Sequence, residues 1–258
     1  MSLVTSSKLR IACGLVSAAF VFAASAMTQA ADISVKPIVV VLNTHDRSSS
    51  LELENASDKN LRVQITAYRW SQRNGSVDEM TPTDDIIVFP TLLSIGKGQH
   101  RSARVGTSLS SGVKEGTYRL VIEELPEAQP ATERFKARPL VVRTKLVLAA
   151  FVSPVKPEAK ASLEGVSIAH GTMHLHLLNS GNAHYTIKDI NLIGLGAGDS
   201  PVFNAPLVAG YILPGADFEM TYSILASNCA QLRQIVVDVA TSVGALKEKL
   251  PVGVAQCR

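Results

Sequence analysis

The chain has 258 residues, 46% of them hydrophobic, and a formal net charge of +3. That apolar fraction is enough for a folded core, and the length suits two domains of ordinary size. So weak a charge gives no reason to expect nucleic acid or another polyanion as partner.

The first segment reads as a leader. Lys8 and Arg10 precede an apolar, Ala-rich run from Ile11 to Ala26. Thr28-Gln29-Ala30 then places small residues where a signal peptidase cuts, so residues 1–30 are predicted to be a signal peptide. The run is too short for a convincing membrane span, and no later segment supplies the roughly eighteen apolar residues that one needs. The mature chain is therefore expected to be exported, without membrane insertion. Because the leader holds two bases and no acid, the mature net charge is +1. Cys13 leaves with the leader. Cys229 and Cys257 remain, an even pair in an exported chain, and are expected to form a disulfide.

From Ile33 onward the pattern is strand and turn. Ser50 to Glu54 alternates polar and apolar residues. Leu61 to Trp70 sets Val63, Ile65 and Ala67 on one face and Arg62, Gln64, Thr66, Tyr68 and Trp70 on the other, as a half-buried strand requires. Turn signals follow these runs at Arg73-Asn-Gly-Ser, Gly96-Lys-Gly, Asn179-Ser-Gly-Asn and Leu213-Pro-Gly-Ala. Helical periodicity is absent, with single turns expected at most near Ala56 and Asn228. Short strands at regular spacing predict an all-β chain of sandwiches or barrels.

Glu124 to Arg138 is polar and contains proline, and reads as a long hairpin loop. The run Pro139 to Val152 follows it, about fourteen residues against the usual five or six of a strand. One face carries Leu140, Val142, Thr144, Leu146 and Leu148. The other carries Val141, Arg143, Lys145, Val147 and Ala149. An ordinary edge strand with one buried face would alternate in the same way. Two prolines, Pro154 and Pro157, then stop the sheet. Domains are accordingly predicted at 31–153 and 154–258.

Chemistry-bearing clusters are sparse. His170, His174, His176 and His184 fall in the second half, and His174 and His176 share a strand face at a spacing suited to two metal ligands. No cysteine or carboxylate is close to them in sequence, so no metal is assigned. Asp84-Asp85 and Glu123-Glu124 are adjacent pairs whose members point to opposite faces of a strand. Nucleophile elbows, phosphate-cradling loops and zinc-protease helices are missing, so no catalytic residue and no cofactor is expected.

Taken in order, Val63-Gln64 to Trp70-Ser-Gln72, Asn74-Gly75, Pro82-Thr-Asp-Asp-Ile86, Phe89-Pro90, Ile95-Gly-Lys-Gly-Gln99, Arg104-Val105, Tyr118-Arg-Leu-Val-Ile-Glu-Glu-Leu-Pro126 and Phe151-Val-Ser-Pro154 resemble the periplasmic chaperones of chaperone–usher pilus systems. Looser similarity continues at Leu177-Leu-Asn-Ser-Gly-Asn-Ala-His184 and Gly210-Tyr-Ile-Leu-Pro-Gly215. Arg69-Trp-Ser-Gln72 and the Tyr118 segment most resemble the archaic, or alternative, branch.

That resemblance implies two immunoglobulin-like β-sandwich domains in an L or boomerang arrangement. It implies a chain that binds pilin-like subunits by donor-strand complementation, a form of β-strand addition, and delivers them to an outer-membrane usher. Leu140, Val142, Thr144, Leu146 and Leu148 would be the donated face, and self-association could cover it in the free chain. Better-known members hold the subunit's C-terminal carboxylate with an arginine and a lysine. Those positions correspond to Val39 and Ala149 here, so neither charge is present. Arg104, Arg119 and Lys145 are the alternative anchors, with Arg104 and Arg119 expected to line the cleft between domains. An ion pair with Glu123 or Glu124 is the structural alternative for both arginines, and Arg69, beside Trp70 in sequence, is expected to stack on a sheet surface rather than to bind a ligand. The rival functions are a structural or adhesive sandwich protein of a surface fibre and, with less in its favour, a periplasmic metal-binding protein.

Overall fold

The computed structural model describes residues 33–73, 77–126, 142–207 and 210–257. The predicted signal peptide lies outside them, as do Leu140, Val141 and most of the polar loop before them.

Among the described residues, ten strands make up the first half: β1 (Ile33–Lys36), β2 (Val39–Leu42), β3 (Ser48–Asn55), β4 (Leu61–Arg73), β5 (Val77–Pro82), β6 (Ile86–Phe89), β7 (Leu92–Ile95), β8 (His100–Thr107), β9 (Gly116–Glu124) and β10 (Lys145–Val152). They form two sheets, β1-β3-β8-β6 and β2-β10-β9-β4-β5, with β7 added to β4. The period-two pattern does the sorting. Leu51 and Leu53 of β3, Val63 and Ile65 of β4, and Leu120 and Ile122 of β9 all point inward and are fully buried. They build one core together with Val40, Leu42, Ile95, Val105 and Ala150.

The second half contributes β11 (Ala161–Ala169), β12 (Thr172–Asn179), β13 (Tyr185–Leu195), β14 (Pro201–Leu207), β15 (Tyr211–Ile212), β16 (Asp217–Ser223), β17 (Gln234–Thr241) and β18 (Gly244–Pro251), with one short helix, α1 (Ala226–Cys229). Its sheets are β11-β12-β16 and β14-β13-β17-β18, with β15 added to β13. Both halves are immunoglobulin-like sandwiches, as the strand and turn rhythm predicts. The Cys229–Cys257 disulfide is formed and ties the C-terminal turn to α1.

Two features prepare the site. The first is a change of sheet at Pro37: β1 pairs with β3 in one sheet, whereas β2 pairs with β10 in the other. Proline has no N–H for a ladder, so pairing ends there. The second is that the two cores touch. Trp70, Ala149 and Phe151 on the outer face of the first sandwich pack into the core of the second, beside Tyr185, Ile212 and Leu213.

The predicted fourteen-residue strand is shorter than expected. Pairing begins at Lys145, and residues 142–144 lie outside any strand. Its partner β9 ends at Glu124. There the Glu124 N–H donates to the Thr144 carbonyl at 3.0 Å, while the Thr144 N–H turns to the Glu124 side chain, donating to Oε2 at 3.1 Å. Lys59 Nζ holds the other carboxylate oxygen at 3.1 Å. That buried carboxylate therefore stands where the ladder would otherwise continue.

Candidate functional site

β10 is paired on one side along its whole length but on the other along only half. The antiparallel ladder to β9 runs from Lys145↔Glu123 to Val152↔Gly116. The parallel pairing to β2 covers only Ala149↔Val39 to Val152↔Leu42. Upstream of Val39 the neighbouring chain turns away at Pro37, so Lys145 to Leu148 border no described strand on that side.

Hydrogen-bond alternation shows which groups this leaves open. Thr144 directs its carbonyl toward β9, and Ser153 donates to Leu42 of β2. Backbone groups alternate sides along a strand. Leu146 and Leu148 therefore face β9, while Lys145 and Val147 turn their N–H and C=O to the open edge. A row of unpaired backbone groups is a template for another strand.

The side chains on this stretch divide differently from the sequence expectation. Leu148 is buried in the first sandwich's own core, and Leu146 is packed partly against it. The ladder to β9 continues the alternation of Ala150 and Val152, which dictates that inward direction. Leu148 is thus committed to this chain's interior, and Leu146, partly buried, leans toward the same core. Val142 is 79% exposed, Thr144 is half-buried, and Val147 on the opposite face is 43% exposed. Val41 of β2 and Ile38 before it extend the exposed apolar surface. Leu140 lies outside the described residues.

The three basic candidates occupy different places. Arg104 sits on the exposed face of β8 and donates to Ser48 Oγ at 3.0 Å. It belongs to the opposite sheet, with the sandwich core between it and β10, so the expectation that it lines the cleft is corrected. Strand alternation explains this: Ala103 and Val105 point inward, so Arg104 points out. Lys145 is exposed and pairs with its cross-strand neighbour Glu123 at 2.6 Å. The hydrogen bond and charge of Glu123 raise its pKa.

Arg119 has the more telling position. Val39, Ala149, Arg119 and Tyr68 form one transverse row across β2, β10, β9 and β4. The two positions that lack the expected charges are thus direct neighbours, and Arg119 is next in line. Its guanidinium carbon lies 3.5 Å from the centroid of the Trp70 ring, and its NH2 group is 3.1 Å from Asp78 Oδ2. Asp78, not Glu123 or Glu124, is the partner. Arg119 thus stacks on the Trp70 ring. Arg69 instead pairs with Asp85 and lies over Tyr118.

Below this row the second sandwich closes on the first. The Gln72 side chain donates to the Tyr211 carbonyl and accepts from the Leu213 N–H, each at 2.9 Å. The Asn182 side chain donates to the Val113 carbonyl at 2.9 Å. The Glu115 carboxylate is buried between the halves and accepts from the His184 backbone N–H at 2.8 Å. Its Oε2 is also 2.8 Å from His184 Nδ1, so the ring donates there. Glu115, Gln72 and Asp78 give no local signal of these roles in the sequence, because His184, Tyr211 and Arg119 stand 69, 139 and 41 positions away from them.

His174 and His176 are met by neighbours from β16. His174 Nδ1 is 2.7 Å from Glu219 Oε1, and His176 Nδ1 is 3.6 Å from Asp217. The bond from His174 holds the Glu219 carboxyl below its ordinary pKa. The carboxylates absent from the local sequence thus arrive across the ladder, His176 standing opposite Glu219. Among the described residues no group of three His, Cys, Asp or Glu side chains is arranged to hold a metal ion. Nor does any described helix have the length and apolar character to cross a membrane.

Residues 32–157 match the family described as "Pili and flagellar-assembly chaperone, PapD N-terminal domain". No curated protein sequence matches the chain. Among solved structures, similarity is found to the CsuC–CsuE chaperone–tip adhesion subunit pre-assembly complex of archaic chaperone-usher Csu pili from Acinetobacter baumannii. There the identity is 17% and the TM-score 0.51, covering 73% of this chain and 89% of that one. The Salmonella enterica SafA pilin in complex with the SafB chaperone gives 14% identity and a TM-score of 0.51, covering 84% and 96%. The E. coli chaperone DraB gives 16% and 0.50, covering 85% and 95%. At these identities the likeness is one of fold.

Proposed function

Since residues 32–157 belong to the family of pili and flagellar-assembly chaperones, we propose that this chain binds pilus subunits in the periplasm through the open edge of β10 and passes them to an outer-membrane usher. Residues 1–30 would be the export signal, residues 31–153 the subunit-binding sandwich and residues 154–258 the second sandwich. The role is that of a holdase and folding template rather than an enzyme.

The observation that carries this reading is the half-paired strand. A subunit strand laid along Lys145 to Leu148 would pair with the N–H and C=O groups of Lys145 and Val147. Val142 and Val147 would supply apolar contact, joined by Leu140 as the pairing extends upstream. Each aliphatic side chain fully buried in this way contributes roughly 1.5–3 kcal/mol. Leu146 and Leu148 would support the strand from within. Val39 and Ala149 carry no charge, so Arg119 would take the terminal carboxylate, with Lys145 as the more exposed alternative. The CsuC–CsuE and SafB–SafA complexes, which pair a chaperone with a subunit, are consistent with such a partner.

Co-expression with a pilin-like subunit tests the reading. Val142→Asp and Val147→Asp together should lower subunit recovery about tenfold or more, whereas Arg104→Ala should not change it. Full recovery with the double variant would count against client binding at this edge.

A further inference from the structure

Arg119 is not idle in the free chain. Its guanidinium reaches across Trp70 of β4 to Asp78 on β5, two strands along the sheet. Its side chain is only 17% exposed, while that of Asp78 is 43% exposed. Each Asp78 oxygen has one partner: Oδ2 takes Arg119, and Oδ1 accepts from Gln72 Nε2 at 3.2 Å. Gln72 is also held by the Tyr211 carbonyl and the Leu213 N–H, so it keeps its place without Asp78.

We infer that Asp78 is an internal substitute for the client's terminal carboxylate, holding Arg119 in reserve until a bound strand exchanges one carboxylate for the other. The inference rests on Arg119 being the anchor. Its chemistry is plain: a planar guanidinium accepts a carboxylate along its edge while its face stays on an aromatic ring. Two carboxylates cannot share that edge without repulsion, so binding one weakens the other. Asp78 would then suppress non-specific capture of carboxylates and set a threshold that only a strand paired along β10 can pass.

Trp70 makes the exchange observable. It is the only tryptophan in the chain and carries Arg119 on its ring, so its emission reports where the guanidinium lies. The full chain would be titrated with a ten-residue alternating Val-Thr peptide ending in a free carboxylate, with the same peptide as its C-terminal amide, and with acetate alone. The acid should bind more tightly than the amide and shift Trp70 emission, and acetate should do neither at matched concentration. Asp78→Asn should tighten the acid about tenfold, a coupling of ordinary size, and leave the amide unchanged. Asp78→Ala guards against an effect peculiar to the asparagine, and Arg119→Gln should erase the difference between acid and amide. Unchanged or weaker acid binding in both Asp78 variants overturns the inference while leaving Arg119 as anchor. If acid and amide bind the wild-type chain equally, the Arg119 reading fails and the inference with it.

Discussion

Phe151 and His184 lie face to face, their ring centroids 3.8 Å apart and their planes within 14°. One lies near the end of β10 and the other belongs to the second sandwich, so the strand that offers the open edge is also the strand against which the second sandwich is set. Trp70 and Tyr211 complete the cluster, at 5.9 Å and nearly perpendicular.

Glu115 fixes that contact. In Glu115→Ala the His184 N–H loses its acceptor, a cost of about 1–3 kcal/mol. Small-angle scattering should show a larger radius of gyration, while circular dichroism keeps its β signature. An unchanged scattering curve would mean that the aromatic cluster and the Gln72 and Asn182 hydrogen bonds hold the halves without Glu115.

Tyr118 makes the first sandwich sensitive to alkali. Burial, then the charge of Asp85 and the hydrogen bond to it, push its phenol up to about 12. The unfolded chain releases this proton near pH 10, so the folded form is favoured below that pH and loses the advantage as pH rises toward 12. The contribution is on the order of 2–3 kcal/mol. Tyr118→Phe should flatten the fall in stability between pH 10 and 12 by about one proton's worth, read from urea unfolding at stepped pH. Tyr185, whose pKa burial also raises, should keep some of that fall in the Tyr118→Phe chain.

The disulfide closes a loop between residues 28 apart. Cys229→Ala with Cys257→Ala should lower the unfolding free energy by about 3–4 kcal/mol through the freer unfolded chain. Chemical denaturation measures it, and because Trp70 packs into the second sandwich's core, its near-ultraviolet signal should be lost together with that sandwich.

Much of this fold could be read from alternation alone. Leu51, Leu53, Val63 and Ile65 announce their buried face because each strand's pattern is local. Trp70 does not: it falls on the outward side of β4 and is buried only because a second sandwich arrives there. The same limit applies to Leu146 and Leu148. Their face is visibly apolar, yet whether it meets this chain's core or a client depends on the register with β9, a long-range fact. Arg104 and Arg119 look equivalent along the chain, and only sheet membership separates them. The open edge itself arises from the change of sheet at Pro37, while the Glu124 side chain at Thr144 sets where β10 begins, and neither reveals its effect on β10 locally.

Residue-resolved hydrogen exchange of the backbone amides of Lys145 to Leu148, free and with a pilin-like subunit bound, tests the central claim most directly. Free, the Lys145 and Val147 amides should exchange quickly, while Leu146 and Leu148, directed to β9, exchange slowly. On binding, Lys145 and Val147 should slow by about a hundredfold, as amides newly paired in a ladder do. A stable complex in which those two amides still exchange as fast as in the free chain would contradict subunit binding along this edge.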